Sequence, residues 1–237
     1  MKPVPLTVRT PFSRSALPVC AFRMRAASLA AAVILCFVAV SDAKEGVVAC
    51  ANLVYSGVKT AHCFSDEFLR LVEAKTTIRT TRRFSQVRLL SDEIYKFPFA
   101  IMTGQERFAL AAAEVERLRD YLLNGGFLLA SAGCSDSGWD HSFRLEIKRV
   151  LPGASLERLP FSHPLFNTVF EIRELETTHK GKAFLEGIVI DGRLAVVYSK
   201  EGLNDTAHKQ GCCCCGGDEI GNSLEVNTNI LAYALTH

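Results

Sequence analysis

The chain has 237 residues, 49% of them hydrophobic and 22% charged, with 27 basic and 25 acidic side chains and a formal charge of +2. This make-up supplies enough apolar material for a packed core and excludes a chain too polar to fold, so one compact unit is expected.

The first 43 residues stand apart from the rest. Arg23 and Arg25 precede an apolar run from Ala26 to Val40, which is followed by Ser41-Asp42-Ala43 and the charged pair Lys44-Glu45. A basic stretch, a short apolar stretch and a small-residue cleavage site are the three parts of a secretory signal, here ending at Ala43. The run falls short of the roughly 20 residues that a bilayer-spanning helix needs. Contact with a membrane is therefore expected only through the leader, if it is not cleaved. Leu35 rather than a small residue precedes Cys36, which argues against a lipoprotein cysteine. An exported, periplasmic protein is expected, with residues 44–237 forming the mature part. That part holds 22 basic and 24 acidic residues, a charge of −2, so the basic excess belongs to the leader. A nucleic-acid partner, which would show as a basic surface excess, is not expected.

In the mature part, Val47 to Tyr55 is mostly apolar with β-branched members and closes at Ser56-Gly57, which predicts a buried strand. Ser65 or Asp66 then caps a helix that presents Phe68, Leu69 and Val72 and ends near Lys75. The cluster Arg79-Thr-Thr-Arg82-Arg83 reads as a solvated strand or loop face, and Val87–Leu90 as a short strand. Phe99–Thr103 predicts a second core strand stopping at Gly104. Residues 111–123 carry Val115, Leu118 and Leu122 at helical spacing, with Asn124-Gly125-Gly126 as a C-terminal stop. Phe127–Ser131 returns to a strand, and 140–150 to a helix with Phe143, Ile147 and Val150 on one side. Pro160 and Pro164 break up residues 155–184, leaving loops and a short strand. Leu185–Ile190 and Arg193–Tyr198 flank Asp191-Gly192, a strong hairpin signal. A long loop over 199–222 precedes a final helix through Val226, Ile230, Leu231 and Ala234.

Strands alternating with helices imply an α/β fold, a three-layer flavodoxin-like sandwich whose mostly parallel sheet gains a hairpin. Ligands of such sheets sit outside the carboxyl ends of the strands. That singles out loops 56–64, 104–110, 132–140 and 199–222.

Seven cysteines follow the leader: Cys50, Cys63, Cys134 and the run Cys212-Cys213-Cys214-Cys215. Cys50 falls within a core strand and reads as a small buried hydrophobe. The other six fall in the loops at the carboxyl edge, with His62 and His208 beside them, so together they are candidate ligands for zinc, copper or an iron–sulfur cluster. Four adjacent residues point their side chains in divergent directions, which makes the run alone a poor site; two of its members with Cys134, Cys63 or a histidine are sterically easier. Disulfides, within the run or from it to Cys134 or Cys63, and free thiols fit the same residues. Cys134 also follows a strand and precedes a helix, the place of a nucleophile, with His141 or His163 as the base. No tight Gly-x-Cys-x-Gly elbow surrounds it. Asp136 and Asp140 read as a helix cap and a loop turn.

The segments Asn124-Gly-Gly-Phe-Leu128, Ser142-Phe-Arg144, Lys148-Arg149-Val150, His163-Pro-Leu-Phe166, Asp191-Gly-Arg-Leu194 and Tyr233–His237, with Tyr55-Ser-Gly57 and Met102-Thr-Gly104, together resemble the bacterial family called domain of unknown function 4159. The resemblance implies a class I glutamine amidotransferase-like, flavodoxin-like domain over 44–237, and it carries no catalytic residues across. Members often show acidic residues after the Gly-Gly-Phe-Leu strand, where this chain has Ser131-Ala132. The expected function is binding of a small ligand or a protein partner at the carboxyl edge beneath the cysteine-rich loop. The alternatives are a metal-binding or thiol-redox protein and a cysteine-dependent hydrolase.

Overall fold

A computed structural model describes residues 46–179, 181–212 and 217–237. The leader and Cys213, Cys214 and Cys215 lie outside the described residues. Seven strands form one sheet in the order β2-β1-β3-β4-β7-β6-β5. They are β1 (Val48–Val54), β2 (Thr80–Arg88), β3 (Phe99–Gly104), β4 (Phe127–Ala132), β5 (Glu157–Arg158), β6 (Leu185–Ile190) and β7 (Arg193–Ser199). The first five in that spatial order run parallel, while β6 pairs antiparallel with both β7 and β5. Four helices cover the sheet: α1 (Glu67–Lys75), α2 (Ala112–Leu123), α3 (Ser137–Val150) and α4 (Ser223–Thr236). The fold is a mixed α/β one with a mostly parallel sheet, consistent with a flavodoxin-like sandwich. Among the described residues no helix is long and apolar enough to cross a membrane.

Alternation along the central strands divides the core in two. Cys50, Phe99, Ile101, Phe127, Leu129 and Val197 face α1 and α4, where Phe68, Leu69, Val72, Ile230 and Leu231 meet them. Ala51, Leu53, Ala100, Met102, Leu128 and Val196 face α2 and α3 and pack on Leu118, Leu122, Phe143 and Ile147. Phe99 and Phe127, directly paired across β3 and β4, stack with centroids 5.4 Å apart. The hairpin turns where expected: Asp191 (φ 50°) and Gly192 (φ 79°) both take left-handed conformations, the geometry of a tight two-residue β-turn.

Two elements, and one residue within the second, differ from expectation. β2 begins at Thr80, seven residues before the expected strand, and takes in the arginine cluster. It is an edge strand, exposed over most of its length, so no apolar alternation marks it. α3 begins at Ser137 rather than Asp140, because Asp136 Oδ1 accepts from the Trp139 amide at 2.8 Å and caps the helix ahead of Gly138. Asp140 is consequently not a loop turn. It sits inside the first turns of α3, accepting from Arg144 Nε at 2.8 Å and from the Tyr198 hydroxyl at 2.5 Å.

Candidate functional site

The strand order reverses direction between β1 and β3: the chain leaves β1 for α1 on one face and leaves β3 for α2 on the other. A crevice opens outside the carboxyl ends of strands at such a point. A cavity of about 450 Å³ lies there, walled by residues 58–63 of the loop after β1, residues 103–106 at the end of β3 and just beyond it, Gly133 after β4 and Asn204 after β7. All four loops singled out in the sequence reach this edge of the sheet.

Each wall is held by identifiable groups. Asn52, a polar residue buried in a core strand, donates from Nδ2 to the Ala61 carbonyl (2.7 Å) and accepts at Oδ1 from Thr60 Oγ1 (3.0 Å) and the Ala61 amide (3.3 Å). The buried carboxylate of Glu114 accepts from the Ser56 amide at 2.8 Å and the Ala111 amide at 2.9 Å, fastening the start of the same loop to α2. Ser56 (φ 46°) and Gly57 (φ 84°) form the tight turn, closed by paired bonds between Tyr55 and Lys59. Lys59 Nζ donates to the Gln105 carbonyl (3.1 Å) and lies 3.6 Å from Glu106. Beneath, the Tyr55 hydroxyl donates to the Thr103 carbonyl (3.1 Å) and accepts from Trp139 Nε1 (2.7 Å). Burial pushes the pKa of Tyr55 up, so it remains a neutral donor. Thr103 Oγ1 reaches Asn204 Oδ1 at 3.5 Å.

The turn after β4 is backbone-strained. Cys134 (φ 53°) and Ser135 (φ 52°) both occupy the left-handed region, which costs non-glycine residues energy and must be held by the surroundings. Ser135 Oγ donates to the Asp218 carbonyl at 2.6 Å, and a Cβ at Gly217 would meet the Cys134 carbonyl at 1.8 Å, so the chain there approaches closely enough to require glycine. Gln105 Nε2 donates to Cys134 Sγ at 3.0 Å, which brings the sulfur beside a residue lining the cavity.

Cys63, also in the cavity wall, is joined by a disulfide to Cys212, 149 residues away. The bond ties the loop after β1 to the loop after β7. Of the chemistries open to the cysteines, these two sulfurs take the disulfide, and in that state neither carries the thiolate a metal binds. Among the described residues no group of three or more His, Cys, Asp or Glu side chains could hold a metal ion. Cys50 is fully buried and its thiol pKa is driven up by desolvation.

The histidines separate. His62 lines the cavity. His208 Nδ1 lies 2.7 Å from Asp205 Oδ1, and this contact raises the imidazole pKa. Burial pushes the pKa of the Asp205 carboxyl up, with His208 pulling the other way. His141 is exposed on α3. His163 packs on the Tyr233 ring (5.3 Å) near the end of α4, which runs back from the carboxyl edge over 14 residues, about 21 Å. Of the two bases considered for Cys134, His163 thus sits toward the opposite edge of the sheet, whereas His141 stands near the start of α3, the helix that follows the Cys134 turn. Asn52, Lys59, Thr103, Gln105, Asn204 and Asp205 were not singled out in the sequence; only their place in or just before the marked loops could have indicated them.

The model of a family described as a domain of unknown function (DUF4159) matches residues 50–235. A comparison with curated proteins gives no match.

Proposed function

The chain belongs to the DUF4159 family, and from that premise and the geometry of the carboxyl edge we propose that it is an exported small-molecule-binding protein whose ligand occupies the cavity between the loops after β1 and β3. One observation carries the reading: the cavity coincides with the point where the strand order reverses, and its walls are fastened by buried polar groups rather than left as free loops. Fastened walls lower the ordering cost of binding. Export is supported by the layout of residues 1–43 and by a long-range disulfide, which persists in oxidising compartments.

The test is a thermal-shift screen of metabolite classes on the full chain, followed by amide chemical-shift mapping of any hit. The reading requires shifts at 58–63, 103–106 and 204. Hits that map elsewhere overturn it. For export, fractionation of native-host cells must recover the protein outside the cytoplasm, cleaved after Ala43.

A second reading, a thiol-redox protein, is favoured by the Cys63–Cys212 disulfide in the wall and Cys134 hydrogen-bonded to Gln105 of the same wall. It requires the disulfide to be reduced and re-formed reversibly under mild thiol buffers with the fold intact. Irreversible loss of structure on reduction rejects it.

A further inference from the structure

The cavity does not end at the loop after β1. A second depression of about 360 Å³ adjoins it, lined by Val54, Gly57, Gln86 and Arg88 and sharing Val58, Thr60 and His62 with the first. The two make one groove along the carboxyl edge, from the end of β2 to the turn after β4.

Its charges are lopsided. Lys59 and Arg88 line it against one carboxylate, Glu106, which is already paired with Lys59 at 3.6 Å, so Arg88 is left as the unbalanced charge, with the His62 imidazole beside the same depression as a polar ring. The Arg88 guanidinium and the His62 imidazole form no hydrogen bond or ion pair with the described residues. An arginine presents five donors in a planar fork suited to a carboxylate or phosphate. Between the two depressions stands Val58, 80% exposed, an apolar side chain that a ligand lying along the groove would cover.

We propose that the groove binds an elongated organic anion, its carboxylate or phosphate seated by Arg88 and His62, its apolar segment lying over Val58, and its uncharged end reaching the wall formed by Thr103, Gln105 and Asn204. The proposal rests on the ligand-binding reading above and adds the charge, polarity and orientation of the ligand.

The experiment compares hexanoate with its neutral isostere hexanamide, and both with inorganic phosphate, by amide chemical-shift titration of the full chain. Hexanoate binds at least about tenfold more tightly than hexanamide, shifting residues 57–62 and 86–88. Arg88→Gln reduces hexanoate to the level of hexanamide and leaves hexanamide unchanged, whereas Arg88→Lys keeps part of the preference. Both substitutions are at an exposed position, and an unaltered spectrum outside the groove certifies the fold. Saturable shifts with phosphate at 86–88 mark a phosphate-bearing ligand; their absence beside hexanoate binding marks a carboxylate. Equal binding of hexanoate and hexanamide at the groove, insensitive to Arg88, overturns the anion and leaves the cavity reading standing. No shift at the carboxyl edge with any probe overturns the proposal, and the screen then decides the cavity reading separately.

Discussion

Replacing Cys63 by alanine removes the covalent link between the loops after β1 and β7. Cys63 is the better end to change, because three further cysteines follow Cys212 in the sequence and could substitute for it. The bond closes a segment of 149 residues. In the chain-entropy description, forbidding that closure in the unfolded state is worth about 5 kcal/mol at 25 °C, and measured losses for native disulfides run about 2–5 kcal/mol. For a domain of this size each kcal/mol moves the melting temperature by about 2–4 °C, so Cys63→Ala should melt about 5–15 °C lower. Urea unfolding followed by circular dichroism, with and without reductant, measures the effect. The unfolded chain freed of its link is more expanded, so the variant also shows a steeper denaturant dependence than the oxidised parent. Reductant should bring the parent to the level of the variant. A difference under about 1 kcal/mol, or a parent insensitive to reductant, would refute the assignment of this bond as the main tie across the carboxyl edge.

Gly104→Ala places a Cβ 2.6 Å from the Tyr55 hydroxyl and 3.0 Å from Trp139 Nε1, and should cost about 1–3 kcal/mol by overpacking, read as a lower urea midpoint with tryptophan emission altered in the folded state. Glu186→Ala strips Arg144 of its two-oxygen partner (3.0 and 2.5 Å) on β6; with these groups only partly buried, about 1–3 kcal/mol is expected, and Glu186→Gln should lose less. His208 should titrate above an ordinary histidine because Asp205 stabilises its cation, and Asp205→Asn should bring the midpoint down, as followed by imidazole carbon shifts. Because the folded pKa is raised, the pair's contribution is present below the unfolded value near 6.5 and is lost as pH rises through the folded one. His163 works the other way: burial, and His237 nearby, lower its pKa, so its cost appears as pH falls below about 6.5, and His163→Phe should reduce the acid sensitivity of the melting temperature.

Much of the fold was readable because local chemistry and tertiary packing agree. The central strands β1, β3 and β4 are covered on both faces and appear as short apolar runs, and Asp191-Gly192 sets the tight turn that pairs Ile190 with Arg193, the register shifting further on between Ile188 and Val189. β2 was not readable over its first half, since an edge strand in water has no burial to write into its sequence. The start of α3 was hidden by Gly138, whose low helix propensity is overridden by the Asp136 cap. At the site, the loops were readable from strand ends, but the pairing was not: nothing local distinguishes Cys63 from Cys134 as the partner of a cysteine 149 positions away. The role of Asn52 was equally hidden, since an asparagine within an apolar strand shows its purpose only once the loop it holds is in view.

The polarity of β2 has a further consequence for what the protein avoids. Between its contacts with Val48 and Cys50 of β1, the strand skips from Thr80 to Phe84, bulging around Arg82, which takes a left-handed conformation (φ 59°). Arginines at 79, 82, 83 and 88 crowd this margin of the sheet, and the opposite margin is the two-residue β5. A kinked, cationic margin on one side and a truncated one on the other give a second chain no straight run of amide and carbonyl groups to template on. Such margins are expected to disfavour edge-to-edge growth, and replacing both Arg82 and Arg83 by valine, which removes two cations and penalises the left-handed kink at 82, should make the protein aggregate under conditions in which the parent stays dispersed.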